Sequence, residues 1–462
     1  MKLYNTKSRS KEEFVPLQEG KLKLYACGPT VYNYFHIGNA RAFIFFDVVR
    51  RYFEYLGYEV TYVQNITDID DKIIEQAIAE GKDFQEIAEK YSQAFLEDCA
   101  ALGIKNPDVQ PRATEVMQDI IGLIDRLVKS GNAYEAQGDV YFDTASLPAY
   151  GSLSGKQIED QMAGARVAEN FRKRHPADFT LWKKSKPGEP IWQSPWGDGR
   201  PGWHTECVVM SQKYLGQSFD IHGGGIDLVF PHHENENAQA MALSGKPLAR
   251  YWMHNGFLNI DGEKMSKSLR NFFTARDILK EYDAEDIRHF FLSKHYRSPI
   301  DFTRELIEES HKAMQNFHKA LTAVEIPQSD KELISDPKVL EVEQVFIQAM
   351  DDDFNTAKAI AQLFELVRLI KDSQLATAQR REATMMLRKL GKVLGFFQNL
   401  DSPDRPTVPD ISKNLIELIL KYRSEARINK DWALSDRIRD DLAELGIEIK
   451  DTAQGSTWEL RK

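Results

Sequence analysis

Residues 21–64 read KLKLYACGPTVYNYFHIGNARAFIFFDVVRRYFEYLGYEVTYVQ, and this stretch decides the fold. Lys21-Leu22-Lys23-Leu24-Tyr25-Ala26-Cys27 has the pattern of a short strand, and Gly28-Pro29-Thr30 breaks it. Residues 40–56 are predicted as a helix with Gly57 as its stop, and Glu59-Val60-Thr61-Tyr62-Val63-Gln64 as a second strand. Strand, helix and strand of these lengths make a βαβ unit, hence a parallel sheet with a right-handed crossover. Such sheets bind nucleotides at the loop after the first strand and at the N-terminus of the helix that follows. His36, Gly38 and Asn39 stand there. Free helical N–H groups attract anions, glycine lets a ligand approach the backbone, and an imidazole can stabilise charge growing on phosphate. A lone His-x-Gly is also an ordinary capped loop.

Further along, His204-Thr205-Glu206-Cys207 and the run from His222-Gly223-Gly224-Gly225 to Pro231-His232-His233-Glu234-Asn235-Glu236 concentrate metal-ligating chemistry. Five of the eleven histidines fall between His204 and His254, with one of only three cysteines. Cys207 offers a thiolate. His232 and Glu236, four apart, share one face of a helix. A fourth ligand has to come from elsewhere, and Cys27 is the first candidate. Two sulfurs, an imidazole and a carboxylate suit zinc. His233 could replace His232, and Glu234 could replace Glu236. The alternative is that Cys207 is a small buried hydrophobe and the histidines are core residues.

The chain has 462 residues, which implies two to four domains. Its hydrophobic fraction of 42% and charged fraction of 28% are those of a globular protein. No apolar run reaches the roughly 18 residues of a membrane span, and the N-terminus has no apolar leader, so a cytoplasmic protein without membrane contact is expected. Three scattered cysteines fit a reducing compartment. A net charge of −10 opposes indiscriminate nucleic-acid binding but leaves room for a local RNA site. Residues 411–462 carry ten Lys/Arg and ten Asp/Glu, so the tail is balanced. Arg166, Arg172, Lys173, Arg174, Lys183, Lys184 and Lys186 form a basic run that could equally be a solvated face.

In order, Asn65 to Lys72 follows the second strand, with Thr67 or Asp68 as the expected helix cap. Residues 71–102 and 107–130 read as helices. Residues 132–201 turn to short strands and basic loops, an insertion between two halves of the sheet. Strand character resumes at residues 219–222, and the glycines that follow allow close backbone approach. In Glu263-Lys264-Met265-Ser266-Lys267-Ser268, two lysines three apart could neutralise a leaving pyrophosphate. Helices dominate residues 277–399. A Pro-rich linker and a small module follow: a helix from 411, a break near 430, a second helix from 432 and a β-like end. No heptad or exposed apolar helix calls for a dimer, so a monomer is expected.

Together these pieces resemble the class I aminoacyl-tRNA synthetases. His36-Ile37-Gly38-Asn39 resembles the HIGH signature, and Lys264-Met265-Ser266-Lys267-Ser268 is the KMSKS signature. Within that class, Tyr25 to Thr30, Gly202-Trp203-His204-Thr205-Glu206-Cys207, His222 to Glu236 and Met350-Asp351-Asp352-Asp353-Phe354-Asn355-Thr356 are similar to the cysteinyl-tRNA synthetase family. Asn39, where the signature has a second His, and Arg270, where Gly is usual, depart from the pattern.

The resemblance implies an α/β fold: a Rossmann-like parallel-sheet catalytic domain with an insertion, then an α-helical bundle and a small mixed α/β anticodon-binding module. The implied division is 1–131 and 202–256 for the two halves of the catalytic domain and 132–201 for the connective insertion. Residues 257–305 form a KMSKS-containing stem-contact region, 306–400 the bundle, 401–410 the linker and 411–462 the anticodon module. The implied activity is attachment of L-cysteine to tRNA(Cys) through cysteinyl-adenylate, with Mg2+ accompanying ATP.

One Zn2+ would be held by Cys27, Cys207, His232 and Glu236, selecting the substrate thiol over the serine hydroxyl, which an apolar pocket separates only ~10–200-fold. His36, Asn39, Lys264 and Lys267 would be catalytic. Gly38, Met265, Ser266 and Ser268 would join them around ATP. Gly28, Thr67, Trp203, His222 and Asp227 would contact substrate, with Trp203 closing over the amino acid. Arg427, Trp432, Asp436 and Asp451 would read the anticodon, although Trp432 could equally anchor two helices. The basic insertion would help grip the acceptor end. Two rival readings are a ligase joining cysteine to an amino sugar, which lacks the tail, and a silent zinc- and RNA-binding paralogue. A P-loop enzyme is disfavoured, since no GxxxxGK[ST] appears.

Overall fold

The computed structural model describes residues 1–156, 172–260, 263–264, 273–324, 334–398, 408–429, 431–445, 447–452 and 455–460. Two compact units divide the chain, residues 1–398 and 399–462.

The larger unit is built on four parallel strands. They are β1 (Lys21–Ala26) and β2 (Glu59–Gln64), joined by helix α1 (Ile37–Tyr55), then β3 (Phe219–Gly225) and β4 (Ala249–Asn255). Helix α2 (Thr205–Leu215) precedes β3, and helix α3 (Glu234–Ser244) connects β3 to β4. The order across the sheet is β4-β3-β1-β2. Tyr25 registers with His222 and with Val63, while Trp252 registers with His222. Period-two alternation therefore puts Tyr25, His222, Trp252 and His254 on one face. Ala26, Gly223, Met253 and Asn255 lie on the other, which α1 covers: a Cβ at Gly223 would run into the ring of Phe46.

Helix α1 starts three residues earlier than expected, because the HIGH-like tetrapeptide is its first turn. His36 is its cap, and its Nδ1 accepts from the Asn39 amide at 3.3 Å. The helix that opens at Asp71 is capped by Asp70, not by Thr67 or Asp68. Asp68 instead accepts from the amide and hydroxyl of Thr114. The expected helix over 71–102 is two, Asp71–Glu80 and Phe84–Ala101, because Gly81 turns left-handed (φ 64°) and Asp83 caps anew. The helix expected from 107 begins only at Met117. Residues 108–112 instead extend along β2, with Gln64 donating to Val109 and Ile66 donating to Pro111.

Between the halves of the sheet, Ala133–Ala136, Asp139–Phe142, Phe179–Lys184 and Gly199–Pro201 form a four-stranded antiparallel sheet. Several of its basic residues are paired: Arg172 with Asp139, Arg174 with Asp143, and Lys183 with Asp71, which Arg200 also holds. Arg166 lies outside the described residues. Towards the C-terminal end of this unit come helices Arg304–Leu321, Pro337–Asp351, Thr356–Lys371 and Thr377–Val393.

The smaller unit has helices Val408–Ile428 and Trp432–Glu444 and a hairpin of Ile447–Thr452 with Gly455–Leu460. Ile416, Leu420, Leu442 and Ile447 form its core. Among the described residues no helix is long and apolar enough to cross a membrane.

Candidate active site and metal centre

Cys27 follows β1 directly, and its amide donates to the carbonyl of Gly223. That parallel pairing carries the thiol to the face of the sheet shared with His222. Cys207 sits in the first turn of α2. His232 lies in the turn Val229–His233, and Glu236 in the first turn of α3. Donor atoms of Cys27, Cys207, His232 and Glu236 all fall within 4.8 Å of one another, and all four side chains are buried. Cys207 Sγ is 3.6 Å from His232 Nε2, and Cys27 Sγ is 3.8 Å from Glu236 Oε1. Bonds of about 2.0–2.3 Å set tetrahedral ligands about 3.3–3.8 Å apart, so these spacings fit an ion between the donors. His232 Nε2 and Glu236 Oε1 are closer, at 2.8 Å.

Glu234 accepts from the amides of Gly151, Leu153 and Ser154, so it serves the insertion and not a metal. A second group, Cys27, His222, His233 and Glu236, also has donors within 4.8 Å. His222 Nε2 lies 2.7 Å from the other carboxylate oxygen of Glu236, while His233 reaches Cys27 Sγ at 3.2 Å and His254 at 2.8 Å. His254 continues to the hydroxyl of Thr6 at 2.8 Å. The set with Cys207 has two thiols, the softer donor set, with these imidazoles hydrogen-bonded around it. His204 Nδ1 lies 3.0 Å from His232 Nδ1, which turns His232 Nε2 inward. Trp203, 39% exposed, stacks on His232 with centroids 4.1 Å apart.

The electrostatics of the cluster are coupled. Burial pushes the Cys207 thiol up, but the hydrogen bond from Cys27 and the imidazole of His232 outweigh it and bring it to about 6. Burial lowers His232, and the Glu236 carboxylate more than reverses this, to about 10. Burial raises Cys27. Glu206, deeply buried beside Cys207, is held well above the usual carboxylate range, and the hydroxyl of Thr67 hydrogen-bonds to it.

On the opposite face, α1 points its N-terminus at the strand ends. Burial lowers His36 to about 4, with the nearby Asp227 carboxylate opposing, so this imidazole is neutral near pH 7. Asp227 is exposed on the turn Ile226–Leu228 after β3. Arg41, buried in α1, donates to the carbonyls of Gly256, Phe257, His295 and Ser298 at 2.6–3.3 Å. It thereby fixes the helix to the chain leaving β4. Gly28 has no room for a side chain, because a Cβ would collide with the carbonyl of Asn65.

The backbone of Lys264 pairs with Asn259 in a short hairpin. Its side chain and all of Met265, Ser266, Lys267, Ser268 and Arg270 lie outside the described residues. Beyond them, Ile37 donates to Phe273 and Ala275 donates to Phe35. The chain leaving the KMSKS signature is thus bonded to the residues flanking His36.

In the smaller unit, Arg427 is on the last turn of its helix, and Trp432 opens the next, 58% exposed. Trp432 is not a core anchor. Asp436, one turn on, is exposed and pairs with Arg439 at 3.3 Å. Asp451 lies in the hairpin opposite Ser456.

Sequence reasoning named His233 only as an alternative ligand, and missed the contacts of His204 with His232 and of His254 with His233, that of Glu206 with Thr67, and Arg41. The density of histidines was the available signal for the histidine contacts.

Comparison with known proteins agrees with this geometry. Residues 13–312 match the model of the class I (C) tRNA synthetase catalytic domain, 345–398 the DALR domain and 412–458 the cysteinyl-tRNA ligase anticodon binding domain. The cysteine–tRNA ligase of Clostridioides difficile (strain 630) is 50% identical over 99% of both chains. That of Pelobacter propionicus is 48% identical over 100% of both. Among solved structures, Mycobacterium tuberculosis methionyl-tRNA synthetase with methionyl-adenylate superposes with a TM-score of 0.58 at 15% identity, covering 81% of this chain and 89% of its own. The LeuRS of Agrobacterium radiobacter K84 gives 0.61 at 12%, covering 83% and 85%. These two share the fold. With a matching catalytic model over more than half its length and relatives matched end to end, the chain belongs to the cysteinyl-tRNA synthetase family of class I aminoacyl-tRNA synthetases.

Proposed function

We propose that the protein is a cysteine–tRNA ligase (EC 6.1.1.16), which uses Mg-ATP to attach L-cysteine to tRNA(Cys) through cysteinyl-adenylate. The observation that carries this reading is the buried group of two thiols, an imidazole and a carboxylate beside the strand ends, across the sheet from the N-terminus of α1. A zinc ion held by Cys27, Cys207, His232 and Glu236 would supply a soft Lewis acid that favours the substrate thiolate over a hydroxyl. Trp203 would cover the amino acid side chain.

In the first step the cysteine carboxylate attacks the α-phosphorus of ATP, and pyrophosphate leaves. No side chain acts as nucleophile. The positive end of the α1 dipole and the neutral ring of His36 would stabilise charge on the phosphate, and Asn39 would present its side-chain carboxamide there. Lys264 and Lys267 would neutralise the departing pyrophosphate. Asp227 would accept from substrate or ribose groups. His222 would act by holding Glu236, and Thr67 by holding Glu206. In the second step the terminal ribose hydroxyl of tRNA takes the acyl group. Trp432 would offer a stacking plane to an unpaired anticodon base, with Arg427, Asp436 and Asp451 around it.

The test is transfer of labelled cysteine to tRNA with Mg-ATP, with serine in parallel. Charging by cysteine alone is expected. Cysteine-dependent pyrophosphate exchange without charged tRNA would replace this reading with the amino-sugar ligase, against which the match to an anticodon binding domain argues.

A further inference from the structure

At the end of β4, Asn255 is 3% exposed, and neither its amide nitrogen nor its amide oxygen has a hydrogen-bond partner among the described residues. A buried carboxamide with both groups unpaired destabilises the protein that carries it, and nearly all such groups in folded proteins are paired. Its position says where a partner can come from. Asn255 registers with Gly225 of β3 and shares with it the face covered by α1. Gly225 brings no side chain, and a Cβ there would meet the Oδ1 of Asp227, so Asp227 borders the same space. Immediately after Asn255, the carbonyls of Gly256 and Phe257 are tied by Arg41 to the first turns of α1. The unpaired amide thus sits at the C-terminal edge of a parallel sheet, between the phosphate-facing helix and a carboxylate suited to ribose hydroxyls.

We propose that Asn255 contacts the nucleoside of ATP, its carboxamide pairing with the 6-amino group and adjacent ring nitrogen of adenine. This rests on the adenylation reading above. A carboxamide sets one donor beside one acceptor, and adenine presents the complementary pair, whereas the acceptor-only Asp227 fits the ribose. The metal ligands lie on the other face of the sheet, so Asn255 acts on the nucleotide and not on the amino acid.

The decisive variant is Asn255→Leu, similar in shape and free of polar atoms. Its ligand-free Tm should equal or exceed that of the wild type, because no hydrogen bond is lost. In pyrophosphate exchange the KM for ATP should rise about tenfold, with the KM for cysteine and the metal content unchanged. ATP should raise the Tm of the variant less than that of the wild type. With purine riboside triphosphate, which keeps the ring nitrogen but lacks the 6-amino group, the difference between the two proteins should narrow.

Equal ATP affinity in both proteins overturns the assignment, and so does a lowered ligand-free Tm with equal loss for ATP and the analogue. A difference that disappears with 2′-deoxy-ATP instead moves the contact to ribose and overturns the base assignment. If the variant cannot be prepared, the wild type alone decides: the analogue should bind about tenfold more weakly than ATP, and equal binding refutes the proposal. A wild type with neither exchange activity nor an ATP-dependent Tm rise would refute adenylation itself.

Discussion

Cys207 lies within 3.6 Å of His232 and is adjacent in sequence to the buried Glu206. A serine there would keep the volume but offer a hard, protonated hydroxyl to a soft ion. Cys207→Ser should therefore lose bound zinc, from about one ion per chain, and lose cysteine-dependent pyrophosphate exchange with it. Metal analysis beside the exchange assay checks this, and retention of both at wild-type levels would overturn the metal assignment. That Cys27, Cys207, His232 and Glu236 come together was readable from residue chemistry and the i, i+4 spacing of His232 and Glu236. The choice between His232 and His233, and between Glu234 and Glu236, was not. It depends on what packs opposite: Glu234 turns to three amides of residues 151–154, which are some eighty positions distant. Asn255 was silent for the same reason, since an unmade hydrogen bond leaves no trace in a sequence.

Helix α1 connects the site to the body of the protein. Its N-terminus carries His36, Arg41 grips the chain after β4, and Asp47 binds Arg51 at 2.8 Å and Arg288 at 2.5 Å. Burial would raise the Asp47 carboxyl, but Arg288 and then Arg51 reverse this and hold it below its ordinary 3.8. A carboxyl depressed on folding contributes stability that is full above its unfolded value and vanishes as pH falls through the folded one. Asp47→Asn should thus destabilise by about 3–5 kcal/mol near pH 7, leaving two buried guanidiniums short of their anion. Urea unfolding should show that gap constant down to about pH 5 and narrowing below pH 3.8. The βαβ periodicity revealed this helix, but not its start. The cap is the ring of His36, a residue without the usual preference for that position. Likewise residues 108–112 were misread as helix because their pairing partner, β2, is more than forty positions earlier.

At the scale of the whole chain, the two units each have a core of their own. All the groups proposed to take part in adenylate formation lie within residues 1–398. A protein ending at Gln398 should retain cysteine-dependent pyrophosphate exchange within a factor of about two, whereas charging of tRNA should fall at least about tenfold, the equivalent of losing one binding contact of ~1–3 kcal/mol per stacked base. Parallel exchange and aminoacylation assays test this, and equal loss of both would mean that the tail supports the fold of the first unit.

The KMSKS signature is bounded on one side by the Lys264–Asn259 pair and on the other by the bonds of Phe273 and Ala275 to the residues around His36. The backbone is therefore held at Lys264 on one side of the signature and at Phe273 on the other. Lys267 is three positions from Lys264 in sequence, a span of at most about 11 Å of fully extended chain. In the proposed reading, chain length and not affinity would set its local concentration near the nucleotide. Its encounter with a departing pyrophosphate would then be an intramolecular event, for which a weak contact suffices. A single peptide-bond cut within 265–272 would leave each lysine tethered at one end only and so reduce that advantage without removing any atom of either.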